Sequence, residues 1–140
     1  MHKNMIDIES QNAPEPVGVY PHAKRIGDLL FLSGIGPREK GKNDIPGVEL
    51  DQNGDIISYD IGTQCHSVFT NVRTILEDAG SNWNNLIDIT VFLTNMKDDF
   101  NIYNQVYAEY FQDNQPCRTT VGISSLPTPI AIELKCIATI

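Results

Sequence analysis

Apolar residues stepping by three and four dominate the middle of the chain. Ile61, Cys65, Val68, Phe69, Val72, Ile75, Leu76 and Ala79 make one stripe, which predicts an amphipathic helix from about Asp60 to Ala79. Gly80 stands where a C-terminal cap belongs. A second helical pattern runs from about Lys97 to Phe111. Its face is mainly aromatic, with Phe100, Tyr103, Val106, Tyr107, Tyr110 and Phe111, and it reads as core rather than as a cofactor platform. Elsewhere the pattern shortens to strand length. Asp28 to Ser33 is an apolar run opened by Gly27 and closed by Gly34, and Leu86 to Leu93 is rich in β-branched residues. Arg118 to Ser124 and Ile130 to Thr139 complete the chain, separated by a proline-containing turn at Leu126 to Pro129. From Ile35 to Tyr59 the composition shifts to Gly, Pro, Asn and charge. Asn53-Gly54 marks a turn there, and Gly47 to Leu50 reads as a short strand before it, so a small hairpin is expected in a long loop.

Pro14 and Pro16 exclude a helix at the start, so residues 1–17 read as an extended or loosely held arm ahead of a single domain at 18–140. The element order predicts an α+β fold, a mixed β-sheet with two helices packed on one face. In the last strand Ile130, Ile132, Leu134, Cys136 and Ala138 share the face expected under the helices. Ala131, Glu133, Lys135 and Ile137 share the other, which is half apolar and is expected to meet a second subunit.

Composition narrows the function. A chain of 140 residues suggests one domain, with hydrophobic residues at 41% and charged residues at 20%. The formal net charge of -8 argues against a nucleic-acid partner, which needs a basic footprint. No apolar run approaches the roughly 20 residues of a membrane span, and the polar start lacks a signal peptide, so a cytoplasmic protein is expected. Cys65, Cys117 and Cys136 form no C-x-x-C pair, and His2, His22 and His66 have no ligand spacing, so neither a metal nor a disulfide framework is signalled. Cys65 and Cys136 fall at core positions. Cys117 has no histidine near it in sequence to activate a thiol.

The chemistry concentrates near the C-terminus. Arg118, in Gln115-Pro-Cys-Arg-Thr-Thr-Val121, offers a rigid fork that matches a carboxylate. Glu133 stands alone among aliphatic neighbours, where burial raises a carboxyl pKa towards the range useful for proton transfer. On adjacent strands the two would form either a site for a small carboxylic acid or a structural ion pair. Ser33-Gly34 closes the first strong strand, where the bare backbone serves either a ligand or only the turn. Dinucleotide, phosphate-loop and nucleophile-elbow motifs are missing.

Taken in order, the segments Gly27-Asp-Leu-Leu-Phe-Leu-Ser-Gly34, Asn71 to Gly80, Thr90-Val-Phe-Leu, Asp99 to Tyr107, Pro116-Cys-Arg118 and Ile132-Glu-Leu resemble the RidA/YjgF family of imine and enamine deaminases. The likeness spans about Tyr20 to Ala138. It implies a chorismate-mutase-like fold, assembly as a homotrimer and clefts between subunits. The family's carboxylate-binding arginine falls on Arg118 and its water-positioning glutamate on Glu133. Its tyrosine falls on Tyr20, its Ser-Gly pair on Ser33 and Gly34, and its helix asparagine on Asn104. Many members carry Arg-Ser-Cys where this chain has Arg118-Thr119-Thr120, so Thr120 replaces the site cysteine and thiol chemistry there is ruled out. Tyr20 to Arg25 and Pro116 to Val121 look most like the 2-aminomuconate deaminase branch. Arg38, Lys24 and Arg25 are candidates for a second carboxylate. Small imines such as 2-iminobutanoate and 2-iminopropanoate, or a non-catalytic small-carboxylate-binding module, are the alternatives. No cofactor or metal is expected.

Overall fold

The computed structural model describes residues 5–140. The apolar stripe of the first helix becomes α1 (Ile61–Asp78), with Ile61, Cys65, Val68, Phe69, Val72, Ile75 and Leu76 buried. Asp60 caps its N-terminus by accepting from the Thr63 amide, and Gly80 follows its end at φ 82°. Asn95 caps α2 (Met96–Tyr110), whose first turn carries Asp98 and Asp99 against the positive end of the helix dipole. Its aromatic stripe is core: Tyr103 is fully buried, and Tyr107 and Phe111 nearly so.

The strands are β1 (Met5–Ile8), β2 (Ala23–Ile26), β3 (Leu29–Leu32), β4 (Val48–Leu50), β5 (Ile56–Tyr59), β6 (Leu86–Leu93), β7 (Cys117–Gly122) and β8 (Ile132–Thr139). A 3₁₀ turn at Trp83–Asn85 leads into β6. β4 and β5 pair as the small hairpin expected around Asn53-Gly54. The other six strands form one mixed sheet in the order β1-β2-β3-β8-β6-β7. Every pairing in it is antiparallel except β6 with β7, which the α2 crossover makes parallel. Both helices cover one face, over Leu30, Leu32, Ile89, Val91, Leu93, Ile132, Leu134, Cys136 and Ala138, all buried. Each leucine, isoleucine or valine among them contributes about 1.5–3 kcal/mol on removal from water. The opposite face keeps Phe31, Phe92, Glu133 and Ile137 only partly covered. The α+β architecture is as expected, and so are the two faces of the last strand from Ile132 onward. Ala131, expected on the open face, precedes the strand and is fully buried, its amide donating to Gln64 Oε1 at 2.8 Å.

Two expectations need correction. The opening segment is extended, but within 5–17 it is not a loose arm: β1 pairs with β2 along the sheet edge. Ser10 donates to Asp78 at 2.5 Å, Asn12 donates to the same carboxylate, and Ala13 is fully buried. His2 and the rest of 1–4 lie outside the described residues. The second correction concerns Arg118 and Glu133. β7 and β8 are not adjacent, because the α2 crossover sets β7 on one side of β6 while β8 returns to the other. Among the described residues, no helix is long and apolar enough to cross a membrane.

Candidate functional site

The site residues fall into two groups. Glu133 pairs in register with Phe92 on the open face, whereas Arg118 pairs with Ile89, which is buried under the helices. The period-2 alternation of a strand therefore puts the two side chains on opposite faces of the sheet.

Glu133 lies in a cleft of about 400 Å³ that Tyr20, Ser33, Gly34 and Arg38 also line. Burial raises its carboxyl above the usual 4.5, and the charge of Arg38 pulls part of the way back. Gly34 is what lets the carboxylate sit there. A Cβ on Gly34 would lie 2.9 Å from Glu133 Oε2 and 3.2 Å from its Cδ. Ser33 is fixed by the bond from its Oγ to the Pro21 carbonyl at 2.7 Å. Tyr20, 39% exposed, accepts at its hydroxyl from the Val17 amide at 3.2 Å. Lys135 reaches the same cleft, but its Nζ donates to the Leu32 carbonyl.

His22 was not legible as a site element. It is a nearly fully buried part of the cleft lining, where Nδ1 accepts from the Ser10 amide at 2.9 Å and Nε2 donates to the Pro14 carbonyl at 2.8 Å. Those two bonds tie the segment that carries Pro14 and Pro16 onto the cleft. A histidine two residues after an expected site tyrosine was the available signal.

Arg118 stands at the edge of the helix-covered face. Its Nη1 donates to Asn104 Oδ1 at 2.8 Å, and its guanidinium lies 4.7 Å from the Tyr107 ring centroid and 5.5 Å from that of Tyr103. Thr120 Oγ1 is 3.1 Å from the Tyr103 hydroxyl. The aromatic stripe is thus both core and a platform under the arginine, the second role being invisible at helical spacing. Arg118 is exposed and lines a separate depression with Tyr107, Ala108, Phe111 and Gln112. Cys117 is exposed beside it, while Cys65 and Cys136 are buried with their thiols pushed up to about 12 by desolvation.

The structure therefore brings Tyr20, Ser33, Gly34 and Glu133 together, and Asn104, Arg118 and Thr120 together. It does not bring the two groups to one point. One group can place a water against a carboxylate; the other can hold an anion.

A mixed sheet with both helices on one face, an open opposite face and a cleft lined by a glutamate defines a small α+β domain with a candidate ligand site. The chain belongs to the family described as Endoribonuclease L-PSP, whose model matches residues 10–140, and this is the RidA/YjgF family that its segments resemble. A RutC family protein of Pyrococcus horikoshii is 38% identical over 131 residues, covering 94% of both chains. Reactive Intermediate Deaminase A of Arabidopsis thaliana, a chloroplastic protein, is 30% identical over 95% of this chain and 65% of its own. Among solved structures, E. coli TdcF with bound serine superposes with a TM-score of 0.83 at 30% identity, covering 96% of this chain and 98% of that one. The E. coli YjgF gene product gives 0.82 at 26% identity over the same shares.

Proposed function

We propose that this protein is a hydrolytic deaminase releasing ammonia from an imine or enamine carboxylic acid, with 2-aminomuconate ahead of 2-iminobutanoate and 2-iminopropanoate as substrate. The observation that carries the reading is Glu133: a half-buried carboxyl with a raised pKa, facing a glycine in an open cleft. A base is most effective when its pKa approaches the working pH. The Arabidopsis relative's name supports the deaminase class. The likeness of Tyr20 to Arg25 and Pro116 to Val121 to the aminomuconate branch supports the substrate.

Arg118 and Glu133 occupy opposite faces of one sheet, so the reading takes them from neighbouring copies. Three copies form a homotrimer, the partly apolar open face of each covered by the next. Arg118 of one copy then holds the substrate carboxylate and fixes the adjacent C=N carbon. Glu133 of the next orients a water and takes its proton as oxygen attacks that carbon. Glu133 returns that proton to nitrogen, giving the carbinolamine. It then takes the carbinolamine hydroxyl proton and passes it to nitrogen as the C–N bond breaks, so that ammonia leaves and the carbon is left as a ketone. An enamine first tautomerises to the imine. Tyr20, Ser33, Asn104 and Thr120 complete the walls. This chemistry draws on no cofactor.

Ammonia release from a freshly generated imine tests the reading, with 2-aminomuconate and 2-iminopropanoate assayed side by side. Turnover of neither, with saturable carboxylate binding, would instead support a non-catalytic binding module, a reading that the serine-bound TdcF structure favours. The net charge of -8 weighs against the ribonuclease activity that the family's description names.

A further inference from the structure

Of the three cations that the sequence offers for a second carboxylate, the structure leaves one in position. Lys24 is paired with Asp7 at 3.3 Å, and Arg25 donates from Nε to the Gly27 carbonyl at 2.9 Å. Neither lines the Glu133 cleft. Arg38 does. Its backbone is clamped from α1, where Asn71 Nδ2 donates to the Gly36 carbonyl at 2.9 Å and to the Arg38 carbonyl at 2.6 Å. Its guanidinium is steadied by one bond, from Nη2 to the Glu15 carbonyl at 2.7 Å. A guanidinium carries five N–H donors, and among the described residues the Glu15 carbonyl is the acceptor found for this one, which leaves donors for a ligand in the cleft that it lines. Among the described residues, the ion pairs are made by Lys24, Lys40 and Lys42, and none involves Arg38. The other cation in the cleft, Lys135, is already bound to the Leu32 carbonyl.

We propose that Arg38 receives a second carboxylate of the substrate and makes the cleft selective for dicarboxylic imines over monocarboxylic ones. The proposal rests on the deaminase reading and names its substrate class. Arg118 holds the carboxylate next to the C=N carbon, Glu133 addresses that carbon, and Arg38 takes the carboxylate at the far end of the chain. An arginine held by its own backbone and by one main-chain acceptor loses little freedom when it forks onto an anion. The influence of Arg38 on the Glu133 carboxyl fits its place in the same cleft. A contact remote from the reacting carbon acts through binding, so its signature is the ratio of kcat/KM values for two substrates.

The test compares Arg38→Gln and Arg38→Lys with the unaltered protein. The readouts are kcat/KM for 2-aminomuconate and 2-iminopropanoate, and calorimetric Kd for two unreactive probes, the dicarboxylate muconate and the monocarboxylate crotonate. A charge-assisted bidentate contact is worth about 10- to 10²-fold, so Arg38→Gln should lower the dicarboxylate-to-monocarboxylate ratio by about that factor. Arg38→Lys should lower it less. Any effect of Arg38 on Glu133 acts on both substrates and cancels in the ratio. A ratio within about twofold of the original overturns the proposal on the same scale. So does an unaltered protein that binds muconate no tighter than crotonate, whatever the stability of the variants. If neither substrate turns over, the deaminase reading fails, and the muconate preference and its loss in Arg38→Gln still decide the role of Arg38.

Discussion

Gly34→Ala adds one methyl group at the place where the structure leaves no room for one. The new Cβ would stand 2.9 Å from Glu133 Oε2, 3.2 Å from Cδ and 3.7 Å from Cγ. The first of these is closer than a carbon and an oxygen settle, so the carboxyl must withdraw by several tenths of an ångström. The backbone itself raises no objection, because Gly34 is not among the glycines with positive φ. Replacing glycine by alanine at a compatible backbone stabilises by about 0.4–1 kcal/mol through the unfolded chain. The clash falls on the far end of a flexible side chain, and the two effects largely offset. Melting should therefore stay within about 3–4 °C, the shift that about 1 kcal/mol makes in a domain of this size.

Catalysis should not be spared. Misplacing a reacting group by about 1 Å can cost about 10²-fold, so the smaller displacement here should cost about 10-fold in ammonia release from a freshly generated imine. Gly62→Ala is the control. Its added methyl would meet Ile102 Cγ2 at 3.8 Å and the Asp60 carboxylate oxygens at 3.9 Å, all ordinary contacts in the first turn of α1. A Gly34→Ala protein that melts normally and turns over within about twofold of the parent would refute the placement of Glu133 at the reacting carbon, given the steepness of that dependence.

Glu133→Gln is nearly isosteric but a poor base, so turnover should fall by about 10²- to 10⁴-fold while an unreactive carboxylate analogue still binds. Its stability should also carry a pH signature. The native carboxyl sits above 4.5, so the native state holds the proton more tightly and ionisation destabilises the fold as pH rises through the raised value. The variant should gain in melting temperature relative to the parent at neutral pH, a gain that fades as the pH falls towards 4.5; a constant difference would contradict the burial argument. Arg118→Lys keeps the charge but loses the fork, the 2.8 Å bond to Asn104 and the stacking on Tyr107, so kcat/KM should fall at least about 10²-fold with an unchanged circular dichroism spectrum. Light scattering at micromolar concentration should report three copies, and a monomer that still turned over would remove the shared site.

The helices were legible because their signals are local. The stripe from Ile61 to Leu76 and its Asp60 and Gly80 punctuation are contained in consecutive residues, and so is the alternation that isolates Glu133 in β8. β1 and β2 were not legible. Each is four residues long, and β2 contains Lys24 and Arg25, so neither shows an apolar run; what makes them strands is pairing with each other and with β3. The relation between Arg118 and Glu133 failed for a similar reason. Sequence order says that β8 follows β7, but only the helical crossover decides that β6 lies between them. The roles of Tyr107 and His22 were hidden because burial and site support use the same residue types. A tyrosine at a core position shows which face it lies on, not what rests on its ring.

The separation of Arg118 from Glu133 turns a topological fact into an experiment on assembly. Suppose each cleft takes Arg118 from one copy and Glu133 from its neighbour. Arg118→Lys and Glu133→Gln are then each inactive alone, because every cleft in either homotrimer is damaged. Unfolded together in equal amounts and refolded, they form mixed trimers. A cleft is intact when its arginine comes from a Glu133→Gln chain and its glutamate from an Arg118→Lys chain, which random assembly gives in about a quarter of clefts. Activity should return to about that fraction of the parent's, with the remaining clefts carrying one or both lesions. If both residues served one cleft from the same chain, every chain in the mixture would carry a lesion in its own site, and no activity would return. Recovery well above the background of either variant therefore requires a site built by two copies, and its absence from well-formed mixed trimers rules that site out.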